Sequence, residues 1–341
     1  MRTPLAPSPA DNPDGPPLIL DRVSVSFNTS KGPARAVNDV SLTLAQGEIL
    51  GLVGESGSGK STLAFTVMGL LPDGARVDSG QIRVMGKDLY HLDPEVLRDF
   101  RWKGISMVFQ SAMNALNPVL TVQDHIFDTL RSHDPNITDE KARQRMLELL
   151  DLVKIDARRA RSFPHELSGG MKQRVVLAIA MVFNPPVLLM DEPTTALDVV
   201  VQRSILNQVR EIQAERKMAI LFISHDFSLV RSLAHRVAIM YAGRIVEITA
   251  SLGKSDAHHP YTEGLMRAIP ELSEDEVTIS GIPGNPPDLL HLPTGCPFHP
   301  RCPVAFDRCR TEVPPMLQVQ GNLVACHQYS RSGEESDHGL E

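Results

Sequence analysis

Cysteine is nearly absent from this chain: there are 4 in 341 residues, and none precedes Cys296. A disulfide-built extracellular scaffold is therefore excluded, because such scaffolds spread paired cysteines through the whole fold. Positive charge is not in surplus either. Lys and Arg number 34 against 41 Asp and Glu, a formal net charge of −7, so nothing in the balance suggests a general grip on nucleic acid. Long apolar runs are missing as well. The longest, "VVLAIAMVF" and "MAILFIS", have the length of buried strands or helix faces and fall far short of the roughly 18 to 20 residues that span a bilayer. The opening "MRTPLAPSPADNPDGPP" has no apolar signal core and reads as a disordered tail over residues 1–17. The expectation is a cytosolic protein whose membrane role, where it has one, runs through a partner.

What is present is an α/β pattern. The length suits one large domain and a smaller one. From Leu18 to about Glu247, short β-branched runs alternate with helical patterns. "LILDRVSVSF" alternates like a strand, and "GEILGLVG" is a near-continuous apolar strand running into glycines. "PPVLLMDEP" and "MAILFISHD" read as buried parallel strands. "KARQRMLELLDLV" sets Met146, Leu149, Leu150 and Val153 on one helical stripe. Strand signals are sparse between Asp93 and Pro164, which predicts a mostly helical insertion there. After "HHPYTEGL" (His258 to Leu265) the text turns dense in Pro and Gly, as a small loop-rich unit would, and residues 331–341 read as a second tail.

Three stretches carry chemistry. "GESGSGKST", Gly54 to Thr62, fits the phosphate-loop pattern and stands between an apolar strand and a helix. In it the backbone around Gly54, Ser56, Gly57, Ser58 and Gly59 can turn N–H groups onto phosphate oxygens, at the positive end of a helix dipole. Lys60 can reach the β- and γ-phosphates, the Ser61 hydroxyl can ligate Mg²⁺, and Thr62 continues the helix start. The bland alternative, a Gly-rich turn capping a helix, is disfavoured by that context. "VLLMDEP" ends a buried strand on Asp191 and Glu192. The first is placed to hold Mg²⁺ through water and the second to polarise an attacking water. "ELSGGMKQR" makes a further anion-suited helix start from Ser168, Gly169 and Gly170.

In this order, the motifs resemble the ATP-binding cassette (ABC) ATPases over Leu18 to about Glu247. The resemblance implies an α/β phosphate-loop domain with a helical signature subdomain, bounded at about 18–262. It implies that Phe27 stacks on adenine, that Gln110 in "MVFQ" touches Mg²⁺ and the attacking water, and that His225 in "ISHD" contacts the γ-phosphate. Asp198 in "TALD" would cross a dimer interface. Two cassettes would meet head to tail, with each ATP between Lys60 of one and Ser168, Gly169, Gly170 and Asp198 of the other. "FQSAMNALNPVLTV", "HHPYTEGL" and "GIPGNPPDLLHLPTGCPFHPRCP" extend the resemblance to Tyr329. They are similar to the ATPases of bacterial dipeptide, oligopeptide and nickel importers, nearer the first of the two ATPase types such importers use. The partners implied are a second, different ATPase chain, two permease subunits and an external solute-binding protein, with no nucleic acid. The place implied is the cytoplasmic face of the bacterial membrane. Import of peptides, import of nickel or another small solute, and a soluble non-transport ABC protein or metal sensor remain open at this point.

The cysteines fall in residues 263–330, the extension. Cys296, Cys302, Cys309 and Cys326 follow C-x5-C-x6-C-x16-C. Clustered cysteines in a cytosolic chain argue for metal over disulfides. Structural zinc sites favour close C-x2-4-C pairs, which are missing here. Wide spacing with Cys-Pro steps sits better with an iron–sulfur cluster. Zinc and free thiols stay as alternatives, with His299 and His327 as substitute ligands. The resemblance agrees, since some peptide-importer ATPases carry a [4Fe–4S] cluster on this extension.

Overall fold

The computed structural model describes residues 15–110, 115–195, 197–250, 252, 258–268 and 281–330. The tail read at 331–341, all but the last three residues of the tail read at 1–17, and part of "FQSAMNALNPVLTV" lie outside the described residues.

Strands β1 (Leu18–Thr29) and β2 (Gly32–Leu44) form a long hairpin. With β4 (Ala75–Val84) and β5 (Lys87–Asp88) they make an antiparallel sheet ordered β2-β1-β4-β5. The other sheet is built on β3 (Ile49–Val53), β6 (Ile105–Val108), β7 (Val187–Asp191) and β8 (Ala219–Ser224), whose neighbours run parallel. It continues through β9 (Arg236–Tyr241) and β10 (Arg244–Thr249) to the short β11 (Leu317–Val319) and β12 (Asn322–Val324). The order is β11-β12-β10-β9-β3-β8-β7-β6.

Residues of β3, β6, β7 and β8 are buried on both faces, as their continuous apolar runs require. Alternation divides them. Leu50, Leu52, Leu189, Leu221 and Ile223 face a core shared with the antiparallel sheet and helix α1 (Lys60–Met68). Ile49, Val53, Leu188, Met190, Ile220 and Phe222 face a second core. That core is closed by α3 (Val122–His133), α4 (Asp139–Leu152), α5 (Gly169–Ala180) and α6 (Val199–Arg216).

The stretch 93–164 carries α2 (Pro94–Lys103), α3 and α4, and also strand β6. "ISMV" is too short to show a period and is set in the sheet by tertiary pairing with β7. The extension is less loop-like than its composition. It contains a helical turn, Asp307–Thr311, and the β11–β12 hairpin, and β12 pairs with β10. Strands of three residues give no readable alternation.

Candidate functional site

The C-terminal ends of the parallel strands and the loops that follow them assemble one site. Glycine is required where the phosphate loop turns. Gly59 has φ 103°, and a Cβ placed on it would sit 2.2 Å from the Ala36 carbonyl oxygen. Gly57, at φ 77°, makes the preceding turn. The loop closes onto α1, whose first residue is Lys60. The Lys60 ammonium is buried and donates to the Gly54 and Glu55 carbonyls at 2.8 Å each and to Ser58 Oγ at 3.3 Å. Burial lowers its pKa, opposed by the carboxylates of Glu192, Asp191 and Glu55. Ser61 and Thr62 are half-buried in the first turn of α1, while Ser56 is exposed at the loop's tip.

Asp191 ends β7 and is almost wholly buried. Its Oδ1 has no hydrogen-bond partner. Burial raises its pKa; a Ser61 hydrogen bond and Lys60 pull the other way, and Glu192 adds to the rise. A buried, unpartnered carboxylate oxygen beside a serine hydroxyl and a lysine is costly unless a cation meets it. The donor set therefore fits Mg²⁺, a hard ion that takes oxygen ligands.

Glu192 follows at φ 46°, a left-handed conformation fixed by its N–H on the Ile223 carbonyl at 2.9 Å. Three side chains converge on its carboxylate. Gln110 Nε2 donates to Oε2 at 3.0 Å, the Thr195 hydroxyl to the same oxygen at 3.2 Å, and His225 Nδ1 lies 3.0 Å from Oε1. Gln110 and His225 come from the ends of β6 and β8, the two neighbours of β7. The structure thus gathers Gln110, Glu192 and His225 around one carboxylate. Thr195 was not singled out from the sequence, although it stands three residues beyond Glu192.

Phe27 is half-buried near the end of β1, opposite Ala34 and Ala75. Ser168 caps α5, its Oγ accepting from the Met171 N–H at 3.3 Å, and Ser168 and Gly169 are exposed. Gly170 admits no side chain, because a Cβ would meet Val201 Cγ1 at 2.6 Å. Asp198 caps α6 through the Val201 N–H at 2.9 Å.

All four cysteines are free thiols, and all four line one cavity, which Phe298, Phe306, His299 and His327 also line. Burial pushes the Cys296 thiol up to about 12 and the Cys326 thiol to about 11, with Cys302 and Cys309 adding to both. Among the described residues, no group of three or more His, Cys, Asp or Glu side chains able to hold a metal ion is found. His299 Nδ1 lies 2.9 Å from the Cys296 carbonyl, and His327 Nε2 lies 2.9 Å from the Glu312 carbonyl.

Residues 37–195 match the family described as ABC transporter, and residues 250–309 match the one described as oligopeptide/dipeptide transporter, C-terminal region. The chain is 45% identical over 311 residues to the oligopeptide transport ATP-binding protein OppD of Mycobacterium tuberculosis, covering 89% of this chain but only 50% of that protein. It is 40% identical over 320 residues to the dipeptide transport ATP-binding protein DppD of Escherichia coli, covering 91% of this chain and 96% of that one. It therefore spans about half the length of the mycobacterial relative and nearly all of the enterobacterial one. Among solved structures, it is 28% identical to a dimeric post-hydrolysis state of the ATP-binding cassette MJ0796 bound to ADP and Pi. That match has a TM-score of 0.61 and covers 69% of this chain and 99% of the other.

Proposed function

Because this chain belongs to the ABC transporter family, among the ATP-binding subunits of its oligopeptide/dipeptide importers, we propose that it hydrolyses ATP to drive peptide import through a membrane permease. The observation that carries the reading is the Lys60–Asp191–Glu192 arrangement: a buried ammonium in the phosphate loop, an unpartnered buried carboxylate oxygen, and a second carboxylate held by three side chains.

Lys60 and the loop amides of Gly54 and of Ser56 to Thr62 hold the phosphates, and Phe27 supports the adenine by stacking. Ser61, Asp191 and Gln110 would hold Mg²⁺, which when bound supplies positive charge to the transferring phosphoryl group. Glu192 orients and takes a proton from the attacking water. Gln110 and Thr195 fix one carboxylate oxygen, and His225 is placed to swing from the other oxygen to the γ-phosphate. The N-capped α5 start at Ser168, Gly169 and Gly170, exposed at its first two residues, is suited to an anion brought by a second cassette, with Asp198 beside it, and the dimeric form of the MJ0796 cassette supports that arrangement. The second cassette, two permeases and a solute-binding protein complete the importer, with this chain peripheral on the cytoplasmic face. Among the described residues no helix is long and apolar enough to cross a membrane.

Glu192→Gln removes the proton acceptor while keeping the shape. The expected result is ATP turnover lowered at least about a hundredfold with ATP binding retained and a stabilised ATP-bound dimer. Native turnover in that variant would refute the assignment.

We further propose that Cys296, Cys302, Cys309 and Cys326 hold an iron–sulfur cluster; what supports this is that the four thiols line one cavity. Neither family description names a metal. A cluster there would clip together a Pro- and Gly-rich unit that buries little apolar surface of its own. Anaerobically purified protein is expected to absorb near about 400 nm and bleach on reduction, as such clusters do. A colourless, zinc-loaded chain would overturn this.

A further inference from the structure

Glu55 puts a carboxylate inside the phosphate loop. A carboxylate next to a polyanion site repels the ligand unless something compensates it. The compensation comes from the cysteine-bearing unit. Arg301 lies between Cys296 and Cys302, in a short turn whose ends are tied by the His299 N–H on the Cys296 carbonyl and the Cys302 N–H on the His299 carbonyl. Its side chain is 5% exposed. It grips Glu55 with two prongs, Nη1 to Oε2 at 2.6 Å and Nη2 to Oε1 at 3.0 Å. The remaining donors go to Tyr241 Oη at 3.3 Å, the Pro283 carbonyl at 2.9 Å and the Ile282 carbonyl at 3.3 Å. Forked pairing of this kind fixes direction as well as charge.

The rest of Glu55 is also committed. Its N–H donates to Tyr261 Oη at 2.9 Å, and its carbonyl accepts from Lys60 Nζ at 2.8 Å. Tyr241, Tyr261 and Phe298 pack ring to ring, with centroids 4.6 to 5.4 Å apart, so the groups that hold Glu55 are themselves held. A continuous path therefore runs from the cysteine loop through Arg301 and Glu55 to the lysine of the phosphate loop.

We propose that Arg301 is a positioning residue of the nucleotide site: it neutralises and orients Glu55, while Tyr261 fixes the Glu55 backbone. The extension thereby completes the phosphate loop of its own chain. This rests on the ATP reading above and adds to it a role for a residue outside the cassette.

The test is a titration of the full-length protein with a fluorescent ATP analogue, in native, Arg301→Gln, Glu55→Gln and doubly substituted forms, with unfolding midpoints measured without nucleotide. Arg301→Gln leaves Glu55 uncompensated and is expected to weaken ATP binding about tenfold. Glu55→Gln alone is expected to hold affinity within about threefold, and the double variant to regain most of the loss, since both charges are then gone. A merely structural role would lower the midpoint in all three variants and allow no recovery in the double one. Affinity of folded Arg301→Gln within about twofold of native, or a double variant as weak as Arg301→Gln, overturns the proposal. Should Arg301→Gln not fold, Arg301→Lys keeps the charge without the fork; an affinity equal to native at both low and high salt then overturns it. A native chain that binds no ATP overturns the nucleotide reading and this role together, whereas native binding unchanged by every variant overturns this role alone.

Discussion

At the scale of single residues, the site is governed by what is left unsatisfied. Asp191 and Glu192 are adjacent acids with opposite fates. Asp191 is buried with one oxygen unpartnered, whereas Glu192 has both oxygens engaged by Gln110, Thr195 and His225. The first is prepared for a cation and the second for a water, and the left-handed backbone at Glu192 turns one carboxylate away from the other. Gly59 is as constrained as either acid. Gly59→Ala forces a methyl group against the Ala36 carbonyl at a φ that side chains rarely adopt. It is expected to cost about 1–3 kcal/mol of stability and to abolish ATP binding. Chemical denaturation beside nucleotide titration checks both; a variant as stable as native and with native affinity would refute the reading of the loop.

At the scale of elements, the helix starts at α1, α5 and α6 each present backbone N–H groups toward a functional position, and Ser168 and Asp198 cap the last two. The end of α3 shows a different device. His133 closes that helix and packs on Phe183 and Trp102, with ring centroids 5.4 and 6.3 Å away. Burial lowers its pKa, assisted by Lys103 and Arg98 and opposed by Asp99. The folded chain thus resists a proton that the unfolded chain accepts below about 6.5. The stability this contributes is intact above that value and is lost as the pH falls toward the lower folded value. His133→Leu is expected to reduce the drop in unfolding midpoint between about pH 7.5 and about pH 5.5; an identical drop in native and variant would contradict the sign.

At the scale of the whole molecule, the extension is part of the cassette's architecture. β12 continues the central sheet through β10, Thr249 Oγ1 donates to Asn322 Oδ1 at 2.7 Å, and the Arg35 N–H meets the Leu289 carbonyl at 3.1 Å. Tyr329 Oη donates to the His258 carbonyl at 2.8 Å. Truncating the chain after residue 280 would bare the edge of β10 and free Glu55 from Arg301. An unpaired strand edge invites association. The truncated cassette is expected to aggregate, read by light scattering, and to bind ATP more weakly than the full chain; a monodisperse fragment with native affinity would show that the extension is an independent appendage.

The sequence by itself determined the cassette. The phosphate loop, the Asp191–Glu192 strand end and the Ser168–Gly170 helix start are contiguous motifs, so their chemistry is set by neighbours a few residues apart and can be read in one dimension. The long buried strands are legible for the same reason, since a strand buried on both faces must be apolar throughout. Only the tertiary structure decided what meets across distance. Arg301 reads as a spacer between two cysteines until the fold sets it against Glu55, 246 positions earlier. Thr195 gains meaning only when β6, β7 and β8 align Gln110, Glu192 and His225 on one carboxylate. β6 and β12 are too short to declare a period and exist because the sheet has an edge for them to pair with. Local propensity and spacing write the loops that hold phosphate, whereas charge compensation and strand addition are settled by which surfaces the packed chain brings together.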